Sequence, residues 1–454
     1  MENIIAEINN AIWGLPMIVL LSATHLLMTY KTNFIQKYTF RAIKLSLTKD
    51  TSSEKGLSPF QALTTSLAST IGTGNIIGLG TAVALGGAGA VFWCWITGIF
   101  GIATKYAESL LALKYRIKTN DGRFLGGAMY ILENRLNLKI LAKAFAVCTV
   151  LASLGIGCGV QSNAISETVK NAIPNSSQYT VEIFGKNLPA ISLFVGLTTS
   201  FIVCMVIFGG VDFISKVCEV IVPFMAAIYI LGTLIILLKN ISVLPETFSV
   251  ILQSAFKKSS ALGGFAGYGT AAAIRFGIAR GLFSNESGVG SSPIVTAAAK
   301  CSNPVRQALI SSTATFWDTV VLCPLTGLVI VSSILKNSNI SLNRLSGGEL
   351  TYAVFSQMPY IGKPILIFSL ITFAFSTILG WSYYGECGIE YLFGTKLIPL
   401  FKTFYIIMVV IAPLISLNAI WDLADILNAL MAIPNLTALF LLKNELTKNN
   451  NLIF

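Results

Sequence analysis

Apolar stretches long enough to span a membrane recur from one end of this 454-residue chain to the other. About 18 consecutive apolar residues let a helix cross a hydrocarbon core roughly 30 Å thick. Such a core offers no water to free N–H and C=O groups, so runs of this kind fold as helices that bond within themselves. Composition agrees: 54% of residues are hydrophobic and 11% charged, where a soluble domain carries about a quarter charged. A soluble fold is excluded. The first run, from Ala11, has no basic flank before it and no small-residue cleavage site after it, so no removable signal peptide is expected.

Eleven spans are expected, near 11–30, 59–84, 89–113, 143–167, 189–209, 216–238, 262–299, 307–334, 364–389, 399–418 and 423–442. The formal charge of +11 sits mostly between them. Lys31, Lys37, Arg41, Lys44, Lys49 and Lys55 follow the first span, and Lys114, Arg116, Lys118, Arg123, Arg135, Lys139 and Lys143 follow the third. Alternating from these two loops puts 20 Lys and Arg on their side against 8 on the other, with Lys105, Arg275 and Arg280 inside spans. The positive-inside rule then places the N-terminus outside and the C-terminus in the cytoplasm. The basic loops are read as orienting and lipid-apposed rather than as a nucleic-acid surface. Residues 244–258 have helically spaced apolar positions ending in two lysines, the pattern of a helix lying flat on the outer surface.

Enzyme chemistry finds little to work with. The eight cysteines are scattered singly through apolar runs and read as small core hydrophobes, and the single histidine, His25, lies within the first span. A zinc site or a His-dependent acid–base mechanism therefore lacks its commonest residue. No GxSxG or HExxH pattern occurs, and Gly185-Lys186 and Gly362-Lys363 are followed by Asn and Pro, so no P-loop is present to draw directly on ATP. The expectation is a non-enzyme with no cofactor.

Glycine concentrates in two stretches: Gly72, Gly74, Gly78, Gly80, Gly86, Gly87 and Gly89, and Gly263, Gly264, Gly267, Gly269, Gly277, Gly281, Gly288 and Gly290. Close packing accounts for part of this, since Gly74 and Gly78 form a GxxxG pair. It does not account for the polar residues alongside, Thr70, Thr73 and Asn75 in one stretch and Ser284, Asn285, Glu286, Ser287, Ser291 and Ser292 in the other. An interrupted helix offers N–H groups at one half-helix start and carbonyls at the other half-helix end, and so can hold a carboxylate and a cation together. The two stretches lie five spans apart and cross the membrane in opposite directions, the arithmetic of an inverted repeat of spans two to six against seven to eleven. The chain divides accordingly into an N-terminal helix with its basic loop (1–58), two five-helix repeats (59–240 and 241–442) and a short tail (443–454). In the ninth span, Thr377 and Trp381 share one helical face beside Ser376. Hydroxyls there suit a hard-cation shell completed by carbonyls of the broken second span, or simply bond back to their own helix.

The run LSPFQALTTSLASTIGTGNIIGLGTAVALGGAGAVFWCWITGIFGIATKYAESLLALKYR from Leu57, AAIRFGIARGLFSNESGVGSSPIVTAAAK from Ala272, FWDTVV from Phe316 and STILGWSYYGE from Ser376 resemble the sodium:alanine (alanine or glycine:cation) symporter family across most of the chain. The resemblance implies an all-α integral membrane protein with a LeuT-like five-plus-five inverted repeat after one extra helix, importing alanine or glycine with sodium. It implies substrate contacts from Gly72, Thr73, Gly74 and Asn75, from Phe283, Ser284, Asn285, Ser287 and Gly288, from Gln161 as a polar wall, and from Thr377 and Trp381. Asn285 or neighbouring carbonyls would face the amine. By analogy with the LeuT-like fold, sodium is expected at the carbonyls of Ala68 and Ile71 and the hydroxyls of Ser376 and Thr377. Two departures, serine in SNES where alanine is usual and Ala88 for a common proline, bear on pocket size rather than class.

Glu108, Arg275, Arg280, Glu286, Asp318 and Glu386 lie in or near spans, where mutual pairing is the default. Lys105 and Glu108, one turn apart, read as a structural or gating pair; Glu286 and Asp318 stay open between a bridge to Arg280 and ion coupling. The expected mechanism is alternating access by a monomer. A proton-coupled or exchange carrier would need a titratable group where Ser376 and Thr377 stand, and a channel would need symmetric rings around a pore. The Lys, Asn and Ile bias suggests an AT-rich bacterial genome and thus the bacterial inner (plasma) membrane.

Overall fold

The computed structural model describes residues 7–9, 11–48, 55–183, 186–257, 269–337, 347–358, 360–415 and 417–447. Helix dominates throughout. In chain order the main helices are α1 (Leu15–Lys31), α2 (Pro59–Thr70), α3 (Gly74–Gly86), α4 (Gly89–Lys114), α5 (Lys139–Ala172), α6 (Ala190–Ile207), α7 (Gly210–Lys239) and α8 (Leu244–Phe256). They continue with α9 (Thr270–Asn285), α10 (Pro293–Ala297), α11 (Pro304–Lys336), α12 (Gly347–Ser356), α13 (Gly362–Phe393), α14 (Thr395–Leu414) and α15 (Trp421–Leu446). Two short antiparallel hairpins join them: β1 (Ile117–Lys118) with β2 (Phe124–Leu125), and β3 (Thr180–Ile183) with β4 (Lys186–Pro189).

Among the described residues, eight helices, α4 to α7, α11 and α13 to α15, are long and apolar enough to cross a membrane unaided, and α2 with α3, bent by 50°, makes a ninth if the pair counts as one span. The expected first and seventh spans appear as shorter elements, the 17-residue α1 and the 16-residue α9 followed by α10. The start of the seventh, residues 262–268, lies outside the described residues.

Phe194, Phe201 and Met205 of α6, Phe224 and Leu231 of α7, and Leu400 and Phe404 of α14 are exposed, as befits helices facing lipid. Small residues line the centre, where backbones meet. On α4, Ala90 meets Gly277, Cys94 meets Gly281, Gly98 meets Thr319 and Gly101 meets Ser287. Helix α13 is gripped the same way, with Gly380 against Ser69, and Gly157 of α5 against Trp381. Without a hydrophobic drive between helices in lipid, such close approach supplies the van der Waals contact that holds them together. All eight cysteines are free and buried or half-buried, as expected of small core side chains.

The start of α2 is well specified. Pro59 occupies its first turn, and Ser58 and Gln61 form a reciprocal capping box that satisfies two otherwise free N–H groups. Just before it, Leu57 pairs in parallel with Ala299 beyond α10, with Leu57 N donating to Ala298 O at 3.1 Å and Lys300 N to Leu57 O at 2.8 Å. The entry to α2 and the exit of α10 are thus stitched together.

A Cβ on Gly277 would overlap the Ala90 carbonyl oxygen, whereas one on Gly155 would meet nothing nearer than Leu427 Cδ1 at an ordinary 3.6 Å. Gly277→Ala is expected to destabilise the bundle by about 1–3 kcal/mol and Gly155→Ala to be tolerated. Thermal unfolding in detergent checks this: the midpoint falls for the first and not for the second, and equal midpoints contradict the packing described.

Candidate functional site

The two expected interruptions are real and lie side by side. Helix α2 ends at Thr70, Ile71 turns extended (φ −75°, ψ 95°), and a wide π-type turn begins at Gly74. The freed N–H groups find side chains: Gly72 N donates to Asn75 Oδ1 at 3.0 Å and Thr73 N to Gln161 Oε1 at 3.4 Å. Helix α9 ends where Glu286 adopts the left-handed conformation (φ 54°), its N–H capping onto Leu282 O at 3.0 Å. Asn285 Oδ1 accepts from Ser287 N at 2.8 Å, and Gly288 and Gly290 carry the chain through φ values of 95° and 85°. A non-glycine residue held at positive φ inside a membrane span is stored strain of the kind found at functional sites. Ser66 Oγ and Ser292 Oγ, 2.6 Å apart, tie one interruption to the other.

Around the first interruption lie four oxygens. Ser376 Oγ is 3.4 Å from Ala68 O, and Thr377 Oγ1 is 3.2 Å from Ile71 O. Both hydroxyls also lie 2.9 Å from Phe373 O in their own helix. A hydroxyl has one proton, so each can satisfy one carbonyl and must turn lone pairs toward the other. Oxygen-rich arrangements with more acceptors than protons suit a hard cation. Gly72 adjoins this group: a Cβ there would sit 2.7 Å from Thr377 Oγ1 and 3.4 Å from Gln161 Oε1.

The carboxylates expected near the spans take distinct places. Asp318, on α11, accepts from Asn75 Nδ2 at 2.7 Å, Ser284 Oγ at 2.9 Å and Thr319 Oγ1 at 2.5 Å, bridging both interruptions. Glu286 accepts from Trp381 Nε1 at 3.1 Å and Ser291 Oγ at 2.5 Å. Glu108 Oε1 accepts from Gly288 N at 2.5 Å and Asn435 Nδ2 at 2.8 Å, and Asn435 also donates to Gly288 O. Glu386 pairs with Lys402 at 2.8 Å. Arg280 bridges neither Glu286 nor Asp318: its partner is Asp425 at 3.7 Å, because α15 brings that carboxylate over the end of α9. Nor do Lys105 and Glu108 hydrogen-bond to one another: Lys105 Nζ and Glu108 Oε2 are both buried without a hydrogen-bond partner, and Glu108 Oε1 goes to the second interruption.

Thr73, Asn75, Gln161, Phe283, Ser284, Asn285, Ser287, Ser376, Thr377 and Trp381 are all buried. Thr73 Oγ1 and Asn285 Nδ2 are buried without hydrogen-bond partners. Above them Phe283 and Trp421 pack at 5.2 Å, and Arg280 lies over both rings at 5.6 and 5.2 Å. At the opposite end, Glu445 gathers Lys114, Tyr115 and Arg135, and Arg116 reaches Ala299 O at 2.6 Å. An apolar groove of about 830 Å³ between α5, α6, α7 and α13 is separate, walled off by Met225, whose Sδ is 3.5 Å from Ser376 Oγ.

Paired interrupted helices meeting inside one membrane bundle are the arrangement of a secondary membrane transporter. The chain belongs to the sodium:alanine symporter family, whose family model matches residues 1–451. It is 43% identical over 464 residues to the sodium/alanine symporter AgcS of Methanococcus maripaludis, covering 98% of each chain. It is likewise 43% identical over 442 residues to an uncharacterized transporter of Haemophilus influenzae, covering 96% of this chain and 93% of the other. Among solved structures its fold is similar to that of MhsT in complex with L-phenylalanine, with a TM-score of 0.61 over 88% of this chain and 99% of that one. At 12% identity this likeness concerns the LeuT-type fold alone.

Trp381→Phe removes the donor to Glu286 while keeping an aromatic ring. Losing a hydrogen bond to a charged group costs about 1.5–3 kcal/mol, so the thermal midpoint should fall; an unchanged midpoint would show that this contact contributes nothing.

Proposed function

We propose that the protein imports small neutral amino acids, alanine and glycine, together with Na⁺ by alternating access. The observation that carries this reading is the oxygen group of Ala68, Ile71, Ser376 and Thr377, which links the carbonyl end of α2 to α13 beside Gly72. Sodium there would neutralise the negative end of the half-helix and fix the distance between the two helices. None of its ligands titrates near neutral pH, which favours sodium over a proton.

The substrate carboxylate would take the N–H groups of Gly72 and Thr73 from Asn75 Oδ1 and Gln161 Oε1, joined by the free Thr73 hydroxyl and Asn285 Nδ2. Asn285 has already committed its Oδ1 to Ser287 N, so the amine falls to neighbouring backbone carbonyls of the second interruption. The absence of a side chain at Gly72, and Trp381 at the other wall, leave room for a short side chain. Phe283, Trp421, Arg280 and Asp425 would form the outer closure; Leu57 with Ala299, and the Glu445 cluster, the inner one. The distribution of basic loops supports an outside N-terminus, a cytoplasmic C-terminus and the bacterial plasma membrane. Both interruptions belong to one chain, so a monomer suffices.

Uptake of radiolabelled alanine into proteoliposomes tests the proposal. An inward Na⁺ gradient should drive accumulation and a K⁺ gradient should not. Gly72→Ala should abolish uptake, and Thr377→Val should raise the Na⁺ concentration needed by about tenfold, the equivalent of one ligand worth about 1.4 kcal/mol. Equal entry under every gradient would overturn the sodium assignment.

A further inference from the structure

Lys105 is the least expected side chain in the bundle. It is fully buried on α4, at membrane depth, and none of its three donors has a hydrogen-bond partner. A buried charge of this kind is costly and is kept where it acts on other charges. Three carboxylates surround this stretch of α4: Glu108 stands one turn along the same face and reaches Gly288 N, Glu286 lies in the second interruption, whose Ser287 packs on Gly101, and Asp318 lies on α11, whose Thr319 packs on Gly98. His25 of α1 faces the same region, its Nδ1 engaged with Thr104 Oγ1 at 2.8 Å.

The arrangement differs from a salt bridge. Glu108 directs Oε1 to Gly288 N and Asn435 Nδ2 rather than to the lysine. Glu286 and Asp318 take their hydrogen bonds from Trp381 and Ser291, and from Asn75, Ser284 and Thr319. Each carboxylate is therefore held by neutral donors, and the ammonium contributes its field rather than a bond. Lysine suits this, as a compact point charge on a flexible stem.

That field is connected to the sodium ligands proposed above. Trp381, the donor to Glu286, follows Thr377 by one helical turn, and Asn75, the donor to Asp318, closes the loop that begins at Ile71. We propose that Lys105 is a tethered counter-cation of the transport site: it stands in for a second mobile cation among Glu108, Glu286 and Asp318, and so sets the affinity for the Na⁺ that is carried. Lys105 is on this view a positioning residue, acting through the carboxylates, and the inference rests on the sodium-coupled reading.

Equilibrium binding of radiolabelled Na⁺ to purified protein in detergent provides the test. Removing the positive charge in Lys105→Met should shift the Na⁺ titration several-fold to lower concentration. Removing one negative charge in Glu108→Gln, which keeps an acceptor for Gly288 N, should shift it by a similar factor the other way. Lys105→Arg should stay within about twofold of wild type, and Lys105→Met with Glu108→Gln, whose net charge is unchanged, should return close to it. A purely packing role for Lys105 gives no mirrored shifts and no recovery in the double variant. If Lys105→Met alone fails to fold, Glu108→Gln and the double variant still decide. Superimposed curves for these variants overturn the lysine assignment alone, while a wild-type protein that binds no Na⁺ overturns the sodium reading beneath it.

Discussion

A helix interrupted inside a membrane leaves N–H and C=O groups that no water reaches, and each must find a partner within the protein. Everything central to this structure answers that demand. Asn75 and Gln161 accept from the first interruption; Glu108, Asn435 and Asn285 satisfy the second; Ser66 and Ser292 join the two. The carbonyls of Ala68 and Ile71 are met by the Ser376 and Thr377 hydroxyls, which also bond Phe373 O, and it is there that the cation is proposed.

Bringing so many polar groups to one place requires that helices approach closely, which explains where the small residues fall. Gly277 and Gly281 let α9 lie against α4, and Gly157 and Gly380 let α13 reach both α5 and α2. The same contacts deliver Glu108 to Gly288 and Trp381 to Glu286. Packing and polar satisfaction are one design here: widening any of these contacts would strand a buried carboxylate as well as open a gap.

Much of this was legible in the sequence. Glycine beside Thr, Asn and Ser at membrane depth marked both interruptions, because packing alone gives no reason for the polar residues. The helical period placed Thr377 and Trp381 on one face, and the structure brings both to the interruptions together with Gln161. Periodicity assigns faces, however, and not partners. Arg280 with Asp425, and Glu108 with Gly288 and Asn435, join elements far apart in the chain, so a local reading offered nearer candidates instead. The isolation of Lys105 was hidden for the same reason: Glu108, one turn away, looks like its mate until a third element claims that carboxylate.

One cation is proposed to link the end of α2 to α13 between the two interruptions. A structure determined with Na⁺ and alanine bound tests it most directly. Ion density is expected among Ala68 O, Ile71 O, Ser376 Oγ and Thr377 Oγ1, with alanine beside Gly72 and its carboxylate on the Gly72 and Thr73 N–H groups. Ion density elsewhere, with the Ser376 and Thr377 hydroxyls still bonded to the carbonyls of Ala68, Ile71 and Phe373, would contradict it.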